Sequence, residues 1–165
     1  MHDHSKNLLP MLAACIALQA IPARAGSCTW SARMEQDEGG SVMTASVCGG
    51  AGQDAHLMLS CLGQPTLSYD LGAAGQKLEP GISASFDFNA GGKTMTRKFD
   101  LEAMYNYFVV QLTPSDPLLA LLKEKGDVTV NSAKYGQNSF PLKGSSKASA
   151  KVMASCTTSA GGEAD

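Results

Sequence analysis

Alternation of apolar and polar positions is the clearest signal in this chain. Ile82-Ser83-Ala84-Ser85-Phe86-Asp87-Phe88-Asn89 sends Ile82, Ala84, Phe86 and Phe88 one way and Ser83, Ser85, Asp87 and Asn89 the other. Thr66 to Leu71 repeats the pattern with Leu67, Tyr69 and Leu71. A period of two with one wet face predicts antiparallel sheet. Further strands are expected over Thr29–Met34, Ser41–Val47, Ala55–Leu62, Lys93–Asp100 and Tyr105–Leu112, and from Val128. Glu35-Gln36-Asp37-Glu38-Gly39-Gly40, Gly49 to Asp54, and Ala90-Gly91-Gly92 read as connecting turns.

The pattern changes at Pro114-Ser115-Asp116-Pro117. Asp116 suits an N-cap, Pro117 the first helical position, and Gly126 a stop after Leu118–Lys125, so a short helix is predicted. After a turn at Tyr135-Gly136-Gln137-Asn138, Gly144-Ser145-Ser146 opens a second helix over Lys147–Ser155. The fold class expected is mainly β. It is an antiparallel β-sandwich or flattened barrel of about eight strands, with two short helices near the C-terminus. Residues 26–156 form one domain, and the small, polar 157–165 is expected to be a disordered tail.

The start of the chain sets the compartment. A polar segment with Lys6 leads into Leu8–Leu18 and closes on Ala23-Arg24-Ala25, the anatomy of a secretory signal cleaved after residue 25. Leu12-Ala13-Ala14-Cys15 also has the small-before-Cys pattern of a lipoprotein signal. The short apolar region before it and the apolar Ile16–Ile21 after it favour free export over a lipid anchor at Cys15. A periplasmic or secreted protein follows. Loss of Lys6, Arg24 and Asp3 leaves it one unit more acidic than the chain's net −2. That balance argues against nucleic acid as a partner, and no later apolar run suits a membrane span.

Four cysteines remain after cleavage: Cys28, Cys48, Cys61 and Cys156. A hairpin centred near residue 38 places Cys28 opposite Cys48, while Cys61 falls opposite Val42. The pairing expected is Cys28–Cys48 and Cys61–Cys156, both structural. No Cys-x-x-Cys pair suggests redox work, and no close Cys pairs suggest zinc.

Candidate chemistry is sparse. His56 is the one histidine left, with no partner histidine for a metal site. No Gly-x-Ser-x-Gly or Gly-x-x-x-x-Gly-Lys motif occurs, and Asp70, Asp87 and Asp100 read as solvated surface. No catalytic residue, cofactor or metal is assigned. Glu35, Asp37 and Glu38 make an acidic hairpin tip, whose functional use would be docking to a basic partner. Tyr105 and Tyr107 share a strand face and read as half-buried packing. Lys143, Lys147 and Lys151 recur every four residues and make one stripe on a helix. With Lys134 and Tyr135 they are the candidate binding residues.

Leu118 to Val130, then Ser139-Phe140-Pro141-Leu142-Lys143-Gly144-Ser145-Ser146-Lys147-Ala148, then Cys156, resembles small proteobacterial periplasmic proteins. The kinds meant are the invasion-associated locus B family and the type VI secretion-associated proteins. The resemblance covers residues 115–156, in the C-terminal third. It implies a non-enzymatic β-sandwich of the cell envelope that binds an envelope protein or glycan. Asn131-Ser132-Ala133-Lys134-Tyr135 resembles the Ser-Gly-x-x-Tyr loop of periplasmic lysozyme inhibitors, with Asn and Ser in place of Ser and Gly. That likeness implies an inhibitor of a lysozyme-like hydrolase as the alternative function, and it requires Tyr135 on an exposed loop.

The intact mass of the exported protein is expected to correspond to a chain starting at Gly26, without an acyl group and with four hydrogens missing. Mass spectrometry before and after reduction checks all three.

Overall fold

The computed structural model describes residues 28–37, 40–72 and 77–159. The leader expected at 1–25 and the end of the expected tail, 160–165, lie outside them. The fold is mainly β, as the alternation implies. Strands β1 (Ser31–Asp37), β2 (Gly40–Gly49), β3 (Ala55–Leu62), β4 (Gln64–Asp70), β5 (Ser83–Ala90), β6 (Lys93–Glu102), β7 (Tyr107–Gln111), β8 (Asp127–Ser132) and β9 (Gly136–Pro141) join two helices, α1 (Pro117–Leu121) and α2 (Ser145–Ser159). The strands form one antiparallel nine-stranded sheet in the order β1-β2-β3-β4-β7-β6-β5-β8-β9.

The sheet curls into a sandwich-like form without closing into a barrel. Near the seam Gly50 N–H donates to the Ser139 carbonyl at 3.1 Å. A side chain at Gly49 would collide with the Phe140 ring and the Ser139 carbonyl, so glycine permits the approach of β9 to the end of β2. The inner face holds Leu57, Leu59, Leu67, Tyr69, Phe86, Phe88, Phe99, Phe108, Val128, Val130 and Phe140, all within 1% of full burial. Tyr69 of β4 meets Phe86 of β5 and Phe140 of β9 edge-on, with centroids 5.1 and 5.8 Å apart. Edge-to-face geometry matches the positive rim of one ring to the negative face of the next.

Helix α2 lies over the inner face of β1–β4, and Cys156 bonds to Cys61 of β3. The other bridge joins Cys28 to Cys48, with Cα atoms 5.1 Å apart. The bridges span 95 and 20 residues. Chain entropy alone assigns them about 4.7 and about 3 kcal/mol.

Three local expectations differ from the structure. Glu35, Gln36 and Asp37 belong to β1 rather than a loop, and pairing runs to Asp37–Gly40. The first hairpin is therefore offset by one residue from the expected register. β1 is an edge strand, where polar residues stay solvated and keep foreign strands away. Helix α1 ends at Leu121: the Lys123 and Glu124 amides bond three residues back, to Ala120 and Leu121, tightening the turn. Its start is as expected, with the Asp116 carboxylate accepting from Leu118 N–H at 2.8 Å and Pro117 following. Helix α2 begins at Ser145 and continues to Ser159, so residues 157–159 are helix rather than tail. No Gly or Pro interrupts the run before Gly161.

Tyr69 links stability to pH. Burial lifts its phenol above the ordinary 10.0; the Asn138 side chain, donating to Tyr69 Oη at 2.8 Å, opposes this, and the Asp70 charge adds to it. A raised folded value means that this contribution is complete below the free tyrosine value and is lost as pH rises through the folded one. Tyr69→Phe is expected to cost about 1 kcal/mol at neutral pH. It should also flatten the loss of stability above about pH 10 in urea titrations.

Candidate functional site

Because strand side chains alternate, the rows between the buried ones face outward. On β1–β4 these are Arg33 and Glu35, then Val42, Thr44, Ser46 and Cys48, then His56, Met58 and Ser60, then Thr66, Ser68 and Asp70. β7 pairs with β4 and places Tyr107 on the same face. The turn before β7 brings Tyr105 over it. Its amides at Tyr105 and Asn106 both donate to the Glu102 carbonyl, at 3.2 and 2.9 Å. Asn106 takes φ +58°, which asparagine tolerates, and its side chain accepts from Leu78 N–H at 2.9 Å. Tyr105 and Tyr107 stack with centroids 5.3 Å apart and planes 8° apart, and Tyr105 stays 50% exposed.

Between the tyrosines and β1 lies a cleft of about 230 Å³. Thr44, Ser60 and Ser68 contribute hydroxyls, Met58 and Val42 an apolar patch, and Glu35 a carboxylate at one rim. Glu35 is held by Arg33, whose Nε and Nη2 both lie 2.9 Å from its Oε1. The cleft therefore offers neutral hydrogen bonding, an aromatic face and one compensated acidic group, which suits holding a polar ligand or polypeptide segment. Half-buried packing is the expectation for Tyr105 and Tyr107, and the Tyr105 ring is indeed half in solvent, but it lies on the turn before β7 rather than in the strand.

The candidate binding residues are dispersed. Lys147 and Lys151 are exposed on α2, while Lys143 precedes that helix. Lys143 lines a shallow groove of about 510 Å³ with Lys123, Lys125 and Ser146, and Glu124 and Asp127 temper its charge. Lys134 is exposed at the β8–β9 turn with its ammonium 5.1 Å from the centre of the Tyr135 ring. Tyr135 itself turns inward. Its ring meets Phe108 at 5.2 Å and Phe86 at 6.1 Å, and its hydroxyl is buried without a hydrogen-bond partner. The lysozyme-inhibitor likeness needs a protruding tyrosine, which this turn does not present.

His56 has neighbours that composition concealed. Its Nδ1 lies 3.9 Å from Asp70 Oδ2, and Asp70 Oδ1 accepts from Gly72 N–H at 2.9 Å. On its other side the register sets it opposite Cys48. A second pocket of about 230 Å³ opens there, lined by Cys28, Arg33, Ser46, Cys48 and His56. At Lys93, outside both pockets, the ammonium pairs with Glu124; Arg97 pairs with Asp116 at 2.9 Å, joining β6 to the cap of α1.

No family model, curated protein or solved structure matches this chain.

Since the Tyr135 hydroxyl is buried and unpaired, Tyr135→Phe is expected to be neutral or to stabilise by about 1 kcal/mol. Tyr135→Ala should destabilise by about 3 kcal/mol through the lost ring contacts. Chemical denaturation of the two variants separates this core role from a recognition role, which would leave both near wild-type stability.

Proposed function

We propose that the protein is an exported, non-enzymatic binding or accessory protein of the cell envelope, with its binding site on the outer face of β1–β4. The observation that carries this reading is the cleft beneath the stacked Tyr105–Tyr107 pair. Half-exposed tyrosines are enriched at interfaces, where one end of the ring is dry and the other wet. Two disulfides, and no helix among the described residues long and apolar enough to cross a membrane, suit a protein that works outside the cytoplasm. The partner is an envelope protein or glycan. The sequence resemblance of residues 115–156 adds a place for it in host interaction or secretion.

A photo-reactive phenylalanine analogue at position 105 is expected to give one discrete adduct in living cells. The same probe at Lys151, on the far side of the domain, should not. Ser60→Arg, which fills the cleft, should abolish the adduct while leaving the circular-dichroism spectrum unchanged. Turnover of an ester, peptide or glycan by the purified protein, lost on one outer-face substitution, would refute the reading.

A further inference from the structure

The two bridges differ in a way that bears on chemistry. Cys61 and Cys156 are 4% and 7% exposed, sealed between β3 and α2. Cys28 and Cys48 are only half-buried and border an open pocket on the outer face. Directly paired residues of adjacent strands share a face and stand side by side. The register pairs Cys48 of β2 with His56 of β3, and His56 with Asp70 of β4. Sulfur, imidazole and carboxylate thus form one row across three strands. Asp70 is fixed at one oxygen by Gly72 N–H, and its other oxygen faces the imidazole Nδ1. His56, Cys28 and Cys48 line the same pocket. The other charge lining the pocket, Arg33, is already held by Glu35.

We propose that Cys28–Cys48 is a thiol–disulfide exchange site whose co-reactant is a dithiol and whose proton donor is His56. A thiolate of the dithiol attacks the Cys28 sulfur. The Cys28–Cys48 bond breaks as the mixed disulfide forms, and the electron pair leaves on Cys48. The imidazolium of His56 stabilises that thiolate and passes it a proton, and Asp70 orients the ring. The second thiol of the co-reactant then attacks its own sulfur in the mixed disulfide and releases Cys28 as thiolate. The dithiol ends as a disulfide and the protein pair ends reduced, so two electrons have moved. An exchange is faster when the departing thiol has a low pKa, which an adjacent imidazolium confers. The pocket adjoins the tyrosine cleft at the Ser46–Met58 rung. A partner seated in the cleft would therefore lie beside the bridge pocket, but the exchange chemistry holds whether or not that cleft is the docking site.

The test uses the oxidised full-length mature protein and dithiothreitol near pH 7, with free thiols trapped by alkylation and mapped by mass spectrometry. Cys28 and Cys48 are expected to be labelled at least about tenfold faster than Cys61 and Cys156. His56→Ala should slow their reduction about tenfold at an unchanged melting temperature, and Asp70→Asn by less. Free imidazole should restore the His56→Ala rate, which a structural role for the ring would not allow. Equal labelling of both pairs would overturn the proposal. So would a His56→Ala protein that reacts at the wild-type rate, or one that slows without rescue. Adduct formation through the tyrosine cleft is a separate readout, so failure of either proposal is visible without the other.

Discussion

The curl of the sheet rests on Tyr69. Its ring stands edge-on to Phe86 and Phe140, and its hydroxyl accepts from Asn138, so one side chain of β4 grips β5 and β9 together. Those strands belong to the other limb of the sheet, so this contact adds to the Gly50–Ser139 hydrogen bond in holding the two limbs together. With it, the inner rows of both limbs are committed to one another and to α2. The outer rows of β1–β4 lie outside the main core cluster, although Val42, Thr44 and Ser68 are buried there. Polar side chains gather on them: the Ser60 hydroxyl, the His56 imidazole and the Cys28–Cys48 bridge keep partial contact with water, while Thr44 and Ser68 are buried at the floor of the cleft.

What sequence reading recovered follows from local physics. The alternation at 82–89 reports burial directly, because Phe86 and Phe88 are inward and Ser83 and Ser85 exposed. Asp116-Pro117 announces a helix start through hydrogen-bond capacity alone. Both disulfide pairings are as expected, although each hairpin register that suggests them lies one residue from the observed one. The cleft was not legible. Its residues come from β1, β2, β3, β4, β7 and the turn before β7, and only the jump in strand order from β4 to β7 brings Tyr105 and Tyr107 beside the others. That adjacency is a long-range choice for which no short window carries a signal. The Cys48–His56–Asp70 row lay closer to view. Cys48 and His56 flank the β2–β3 turn and His56 and Asp70 close the open end of the β3–β4 hairpin, so both alignments depend on single-residue register; the expected Cys61 opposite Val42 is one residue off and would set Ala55, not His56, beside Cys48.

The same register rule explains why the lysines named from the sequence do not converge with Tyr135. Lys147 and Lys151 follow helical spacing on α2, while Tyr135 sits at a hairpin end where the ring can reach Phe108 and Phe86. Spacing along one element is a dependable guide to shared faces on that element. Between elements it says nothing, and the aromatic ring was claimed by the interior.

The two covalent ties also differ in how much of the chain they enclose. Cys28–Cys48 closes a loop of 20 residues, whereas Cys61–Cys156 closes one of 95 and fastens α2 to β3. A single backbone cut anywhere between residues 61 and 156 leaves its two fragments covalently joined. A protease that nicks one surface turn in that stretch cannot release a piece of the domain until the sealed bridge is reduced.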